Sequence, residues 1–258
     1  MKIQKFFILI CTFSFLNAGW GQEAHKNLLT EAIRILPVFD YEMCVYYKTP
    51  LLTGIVEGEI QFKYKENGIS PLWLKLKNPE EISYLNGIPV NKKNYKEAAE
   101  FFALKFSSLR SDIINCKRKY SDILYELGYY LTAINNILIP LYEKGNFPEQ
   151  VYAKKTSELF LDSKQIKKIT NINLWCINTF ENFLSLREKW TNSAKPDNHE
   201  EFKSLSHKAN SQQIYTLANI ISYVLSDSFG PGHPEARKHV QKIHEKHIKV
   251  TNGRKPMF

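Results

Sequence analysis

Helical periodicity dominates the apolar pattern of this 258-residue chain. Apolar residues recur at spacings of three and four in successive segments, and no stretch alternates apolar and polar residues convincingly as a half-buried strand would. Predicted helices cover 25–36, 39–47, 92–116, 121–142, 149–161, 163–190 and 206–225, and a basic helix follows to about residue 250. The pattern therefore predicts an all-α fold, and the absence of an internal repeat favours a single multi-helix domain.

Two segments constrain how such helices assemble. Segment 121–142 is apolar on nearly every side, so we expect it at the centre of the bundle. Glycine and proline recur between residues 50 and 90, beginning with Pro50, Gly54 and Gly58, which predicts a long irregular connection there. Hydrophobic residues make up 43% of the chain, enough for a real core, which excludes a disordered or collagen-like protein.

The first residues have the pattern of a secretory signal peptide. Lys2 and Lys5 precede an apolar run at 6–16, which ends in small or polar residues and is too short to span a bilayer. The sequence therefore predicts a signal peptide at 1–19, a folded domain at 20–250 and a polar tail at 251–258. This organisation predicts an exported protein, periplasmic or secreted.

Three cysteines remain after the predicted signal peptide: Cys44, Cys116 and Cys176. Their spacing contains neither a CxxC motif nor a Cys/His cluster, so no structural zinc finger is expected. Each lies among apolar neighbours on a helical pattern, which favours an ordinary buried thiol.

Trp20 and His25 form a WGxxxH pattern directly after the predicted signal peptide. This pattern resembles the start of the zinc-dependent phospholipase C and single-strand-specific zinc nuclease superfamily. In that family the amine and carbonyl of the first Trp bind zinc together with the His. Two weaker matches are Pro140-Leu141, at the end of the central helix, and Asn173-Leu174. The resemblance implies a helical bundle of the phospholipase C and nuclease type.

The family's ligand positions carry other residue types in this chain. The His, Asp and His that the family places on the central helix correspond to Thr132, Asn136 and Tyr142. Its later His and Asp correspond to Trp175 and Thr179. A further Asp has a possible substitute in Glu57 or Glu59, but no histidine occurs between His25 and His199.

A catalytic zinc ion normally has three protein ligands and a bound water. The resemblance therefore implies a degenerate metal site, in which Trp20 and His25 are remnants and no cofactor is held. It favours a non-catalytic binding or structural module. The alternative is an enzyme, a zinc-dependent phosphodiester or phospholipid hydrolase whose site is remodelled around His25, Glu57 and one of the later histidines, His199, His207 or His233.

A basic surface is the other feature that bears on partners. The chain has 35 Lys and Arg against 26 Asp and Glu, a formal charge of +9, and +7 without the signal peptide. The last predicted helix carries Arg237, Lys238, Lys242, Lys246 and Lys249. Such a face can contact anionic lipid or another protein, and no recognisable nucleic-acid motif accompanies it. Five aromatic residues in or near the irregular connection are candidates for surface contacts, although most aromatic residues must lie in the core: Tyr41, Tyr46, Tyr47, Trp73 and Tyr84.

Overall fold

A computed structural model describes residues 20–63, 93, 95–138, 161–193 and 199–225, and the single positions 234, 238 and 242. The side chains at several helix ends, among them those of Trp20, His25 and Asn136, lie outside this description. So do the predicted signal peptide, the polar tail, Tyr142 and almost all of the predicted helix at 149–161.

Seven α-helices build the described part of the chain. They are α1 (Trp20–Arg34), α2 (Val38–Tyr46), α3 (Lys48–Lys63), α4 (Tyr95–Ile114), α5 (Tyr120–Leu138), α6 (Ile172–Ser193) and α7 (His199–Leu225). A 3₁₀ turn at Ser163–Gln165 precedes α6, and no strand occurs among the described residues. The predicted all-α class is confirmed. None of the described helices has the length and apolarity needed to cross a membrane.

Helix α5 lies at the centre of the bundle, as its sequence predicts. Every residue from 127 to 135 is buried, so the helix has neighbours on all sides. Aromatic rings fill the space where α4, α5 and α6 meet: the ring centroid of Phe102 lies 6.0 Å from that of Phe180, and the centroid of Phe106 lies 6.4 Å from that of Tyr130. Such rings bury large areas, and their tilted and edge-on contacts fix how the helices pack.

Helix α3 corrects the prediction of an irregular connection beginning at Pro50. The chain is helical from Lys48 to Lys63, across Pro50, Gly54 and Gly58. Pro50 is tolerated because it lies in the first turn, where a backbone N–H has no partner within the helix. Gly54 and Gly58 lie inside the helix because its close packing against α5 leaves little or no room for a side chain there.

The backbones of α3 and α5 approach so closely that there is no room for a Cβ atom at two positions. A Cβ on Gly54 would overlap the carbonyl oxygen of Tyr125, and one on Gly128 would overlap the carbonyl oxygen of Leu51. The helix loses some intrinsic stability with each glycine, by about 1 kcal/mol relative to alanine. The close contact between the two helices compensates for that cost.

Other helix boundaries also differ from the prediction. Helix α6 begins at Ile172 rather than at 163, and the side-chain Oδ1 of Asn171 accepts a hydrogen bond from the backbone N–H of Leu174 at 3.0 Å. An amide at the cap satisfies a donor that the first turn leaves without a partner. Helix α7 begins at His199 rather than 206, so the predicted loop at 191–201 is helical at both ends.

Helix α4 ends at Ile114, before the predicted end at Cys116. Cys116 has a backbone φ of 52° and is exposed, so the prediction of a buried thiol is wrong for this residue. The predicted helix extends two residues too far, into the turn that joins α4 to α5. Cys44 and Cys176 are buried as predicted, and burial raises the pKa of the Cys176 thiol to about 12.

A side chain of α4 binds α7 near the carboxyl-terminal ends of both helices. The Arg110 guanidinium donates a hydrogen bond of 2.7 Å to the carbonyl oxygen of Tyr223, and it lies 4.6 Å from the centre of the Tyr223 ring. A cation at the end of a helix satisfies carbonyl groups that lack a partner and interacts favourably with the helix dipole.

We expect Gly54→Ala and Gly128→Ala to destabilise the protein by about 1–3 kcal/mol or more, because overpacking forces the two backbones apart. Gly58→Ala should be milder, since its Cβ would lie 3.1 Å from the carbonyl oxygen of Tyr129. Urea unfolding followed by circular dichroism measures the difference. Thr53→Ala, at an exposed position of the same helix, is the control. Unchanged stability of the Gly54 variant would contradict the close packing of α3 on α5.

Candidate functional site

Glu57 and Thr132, two candidate positions of the sequence analysis, both lie where α3 packs on α5. The Thr132 hydroxyl donates to the carbonyl oxygen of Ile55 on α3 at 3.3 Å and also lies 3.2 Å from the carbonyl oxygen of Gly128 on its own helix. The Glu57 carboxylate accepts a hydrogen bond from the Tyr125 hydroxyl. Both side chains therefore make contacts that join the two helices.

The Tyr125 phenol lies among groups that disfavour its ionisation. Burial raises its pKa first, and the hydrogen bond and the negative charge of Glu57 raise it further. A carboxylate next to a phenol has this effect because it would repel a phenolate. Tyr125 thus remains a hydrogen-bond donor to Glu57 over the physiological pH range.

Trp175 and Thr179 lie on a different part of the bundle. Both belong to α6, which packs mainly against α4 and α7. Trp175 is partly buried against the apolar core, and Thr179 is partly exposed. The described contacts do not bring them together with Thr132.

Three candidate positions are placed only in part. The backbones of Trp20 and His25 belong to the first two turns of α1, and that of Asn136 to the last turn of α5. Their side chains, and the whole of Tyr142 and Glu59's side chain, lie outside the described residues.

A small cavity borders Thr132. Its volume is about 10 Å³, and it is lined by Leu29, Ile55, Leu131, Thr132, Asn135 and Leu217. This space holds at most about one water molecule. Within the described residues, no group of three or more His, Cys, Asp or Glu side chains is arranged to hold a metal ion.

Helix α7 places two amide side chains in the interior, at positions that the sequence pattern did not indicate. Asn210 and Gln213 are only 2% and 1% exposed. Neither Oδ1 of Asn210 nor the polar side-chain atoms of Gln213 have a hydrogen-bond partner among the described residues, and the same holds for Nε2 of His207. Each such atom costs about 1–3 kcal/mol when buried. The signal in the sequence is that Asn210 and Gln213 precede the buried Leu217 by two turns and one turn on an apolar face.

These side chains can donate and accept hydrogen bonds but carry no fixed charge. They are the interior groups of the described chain with the most unused hydrogen-bonding capacity.

Asp40 is the one buried carboxylate among the described residues, at 4% exposure. It lies on α2 and accepts a hydrogen bond of 2.9 Å from the Ser222 hydroxyl on α7. Burial raises the pKa of the Asp40 carboxyl to about 6, and the hydrogen bond from Ser222 offsets part of that effect. The neighbouring Cys44 thiol is fully buried, and its pKa is raised by burial and by the charge of Asp40.

Because the pKa of Asp40 is higher in the folded state, the fold is favoured by the neutral carboxyl. We expect the stability that this group contributes to be complete below about pH 4 and lost as the pH rises to about 6. Asp40→Asn keeps an acceptor for Ser222 and removes the charge. It should increase the free energy of unfolding at neutral pH by up to about 3 kcal/mol, since one pKa unit corresponds to about 1.4 kcal/mol.

Chemical denaturation across this pH range measures both effects. The slope of stability against pH between about pH 4 and 6 should flatten in the Asp40→Asn variant. Asp122→Asn, at an exposed carboxylate, is the matched control. If Asp40→Asn lowers stability at neutral pH, the pKa of Asp40 is not raised by the burial of an uncompensated charge.

Comparison with protein-family models finds no match for this chain, and comparisons with curated proteins and with solved structures find no significant similarity.

Proposed function

We propose that this chain is an exported helical binding or structural module on a scaffold of the phospholipase C and zinc nuclease type, with a degenerate metal site and no catalytic centre. The proposal combines the resemblance at WGxxxH with the residues now at the family's ligand positions. Zinc is not expected as a cofactor. A periplasmic or secreted location follows from the signal peptide predicted at 1–19.

The observation that carries the proposal is the use of Thr132 and Glu57 in helix packing. Thr132 donates to a backbone carbonyl of α3, and Glu57 accepts from Tyr125 of α5. A metal ligand at either position would have to give up that contact. The cavity beside Thr132, at about 10 Å³, is also too small for a hydrated ion or a phosphodiester.

The alternative of a remodelled hydrolase has one observation in its favour. Nε2 of His207 is buried and has no hydrogen-bond partner among the described residues. An imidazole nitrogen of this kind is the commonest protein ligand for a transition metal. The test of the proposed function therefore includes His207 as well as His25.

We expect mature protein, purified and dialysed without chelator, to hold far less than one equivalent of zinc. Hydrolysis of bis-p-nitrophenyl phosphate and of p-nitrophenylphosphorylcholine should not differ with and without EDTA, because no described cluster of side chains can activate a metal-bound water. Elemental analysis and absorbance assays measure both.

His25→Ala and His207→Ala serve as the comparison variants. If the wild-type chain retains stoichiometric zinc and an EDTA-sensitive esterase activity, and either variant loses them, the chain is a metal-dependent hydrolase. The proposal of a non-catalytic module would then be wrong.

A further inference from the structure

Helix α2 is apolar on its exposed side as well as on its buried side. Its buried residues are Asp40, Met43 and Cys44. Val38, Tyr41 and Val45, which follow one another at helical spacing, are 57%, 38% and 46% exposed. A helix normally turns its apolar side chains to the core and its carboxylate to water. Helix α2 instead buries the Asp40 carboxylate and exposes an apolar face formed by Val38, Tyr41 and Val45.

The exposed aromatic rings of α2 extend this face. Phe39 is 41% exposed and Tyr46 is 58% exposed. Tyr46 packs edge-on against Tyr47, with ring centroids 4.8 Å apart, and so is held at the end of the helix. Several exposed apolar side chains on one short helix of a folded domain are typical of an interaction surface.

Two contacts place α2 at one end of the bundle. The Ser222 hydroxyl, near the end of α7, bonds to Asp40 in the middle of α2. The ring of Tyr47, which joins α2 to α3, lies 5.0 Å from that of Tyr120, the first residue of α5. The turn between α4 and α5 therefore lies beside α2. Ile114, the last residue of α4, is 46% exposed at this same end.

Basic residues predominate among the exposed charged residues of the segments that adjoin the apolar face. Within 34–53 and 114–122 these are Arg34, Lys48, Lys117, Lys119 and Asp122, four basic and one acidic, while Glu42 on α2 is half-buried. Arg34 pairs with Glu31 at 3.4 Å, while the ion pairs of the described residues do not involve the three lysines. Arg118, between Lys117 and Lys119, is held by Asp112 and Glu126 and so stiffens the turn.

We propose that this end of the bundle, formed by Val38, Tyr41, Val45 and Ile114 with Lys48, Lys117 and Lys119, docks on the surface of an anionic phospholipid bilayer. The inference deepens the proposed binding function by naming its surface and its partner. It differs from contact through the basic last helix, of which the structure describes only Pro234, Lys238 and Lys242.

The chemistry of the face selects this partner. An anionic bilayer offers lipid phosphate and carboxylate groups to the lysines and an apolar boundary to the valine and tyrosine side chains a few ångströms deeper. Tyrosine suits that depth because its ring is apolar and its hydroxyl is polar. A second copy of this chain would bring the same lysines face to face, which costs free energy.

Co-sedimentation with vesicles tests the proposal on the mature chain. The probes are vesicles of phosphatidylcholine alone and of phosphatidylcholine with phosphatidylserine. We expect binding to the anionic vesicles only, and weaker binding at high salt because screening reduces the attraction. In Val38→Ser/Tyr41→Ser/Val45→Ser and in Lys117→Glu/Lys119→Glu, the partition coefficient should fall about tenfold or more.

Matched variants change the same residue types elsewhere on the surface. Leu104→Ser removes an exposed apolar side chain ten residues before Ile114 on α4, and Lys96→Glu/Lys208→Glu reverses two exposed lysines. Lys96 precedes Arg110 on α4, and Lys208 precedes Ser222 on α7, by about 21 Å of helix in each case. Both control variants should bind anionic vesicles as the wild type does, and thermal unfolding of every variant should stay close to that of the wild type.

Three outcomes would overturn the proposal. One is that the wild-type chain does not bind anionic vesicles. Binding to soluble polyglutamate in that case would indicate an acidic protein partner. Another is that the triple variant of α2 binds normally while Lys238→Glu/Lys242→Glu does not, which would move the contact to the last helix. The third is that the control variants lose as much binding as the test variants. Zinc content tests the proposed function separately. Vesicle binding does not depend on that result, because a zinc hydrolase and a non-catalytic module could equally well have this docking surface.

Discussion

The close approach of α3 and α5 is the contact on which the rest of the bundle depends. At Gly54 and Gly128 one helix backbone occupies the space that a side chain would need on the other. Glycines four residues apart, at 54 and 58, keep this face flat over a full turn of α3. Because α5 is buried on all sides in this region, the position of α3 also fixes which face α5 turns toward α4 and α7.

The same contact determines what the candidate site residues can do. Thr132 and Glu57 lie one on each helix; the Thr132 hydroxyl is within hydrogen-bond distance of a carbonyl oxygen on both helices, and Glu57 accepts from Tyr125 of α5. A hydroxyl bonded to a carbonyl oxygen joins two backbones without carrying charge into the core, whereas an imidazole and a carboxylate with their metal would need a wider gap. The close packing of the two helices thus engages both candidate side chains.

The sequence predicted the helical class and the central place of α5, because apolar periodicity reports burial directly. It failed at α3, where Pro50, Gly54 and Gly58 resemble loop residues unless the helix that packs on them is known. It also failed at Cys116, since a single residue with positive φ ends the helix while the apolar pattern continues. The resemblance identified Thr132 and Glu57 as positions of interest, but only coordinates relate Thr132 to Ile55, 77 residues away. Only the tyrosines of α2 indicated that this helix has an exposed apolar face. Periodicity cannot predict which side of an evenly apolar helix packs against the core.

Helix α7 buries different kinds of side chain along its length, which affects how readily each part of it opens. Its carboxyl-terminal part buries Leu217, Ile221 and Val224, whereas the two turns before it bury Asn210 and Gln213 with polar atoms that lack partners among the described residues. Apolar burial holds a helical turn closed, and unpaired polar atoms are released from their cost when water reaches them. We therefore expect amide protons around residue 210 to exchange with solvent faster than those around residue 221. Helix α7 should open more readily toward its amino-terminal end than beside α2, where Ser222 bonds to Asp40.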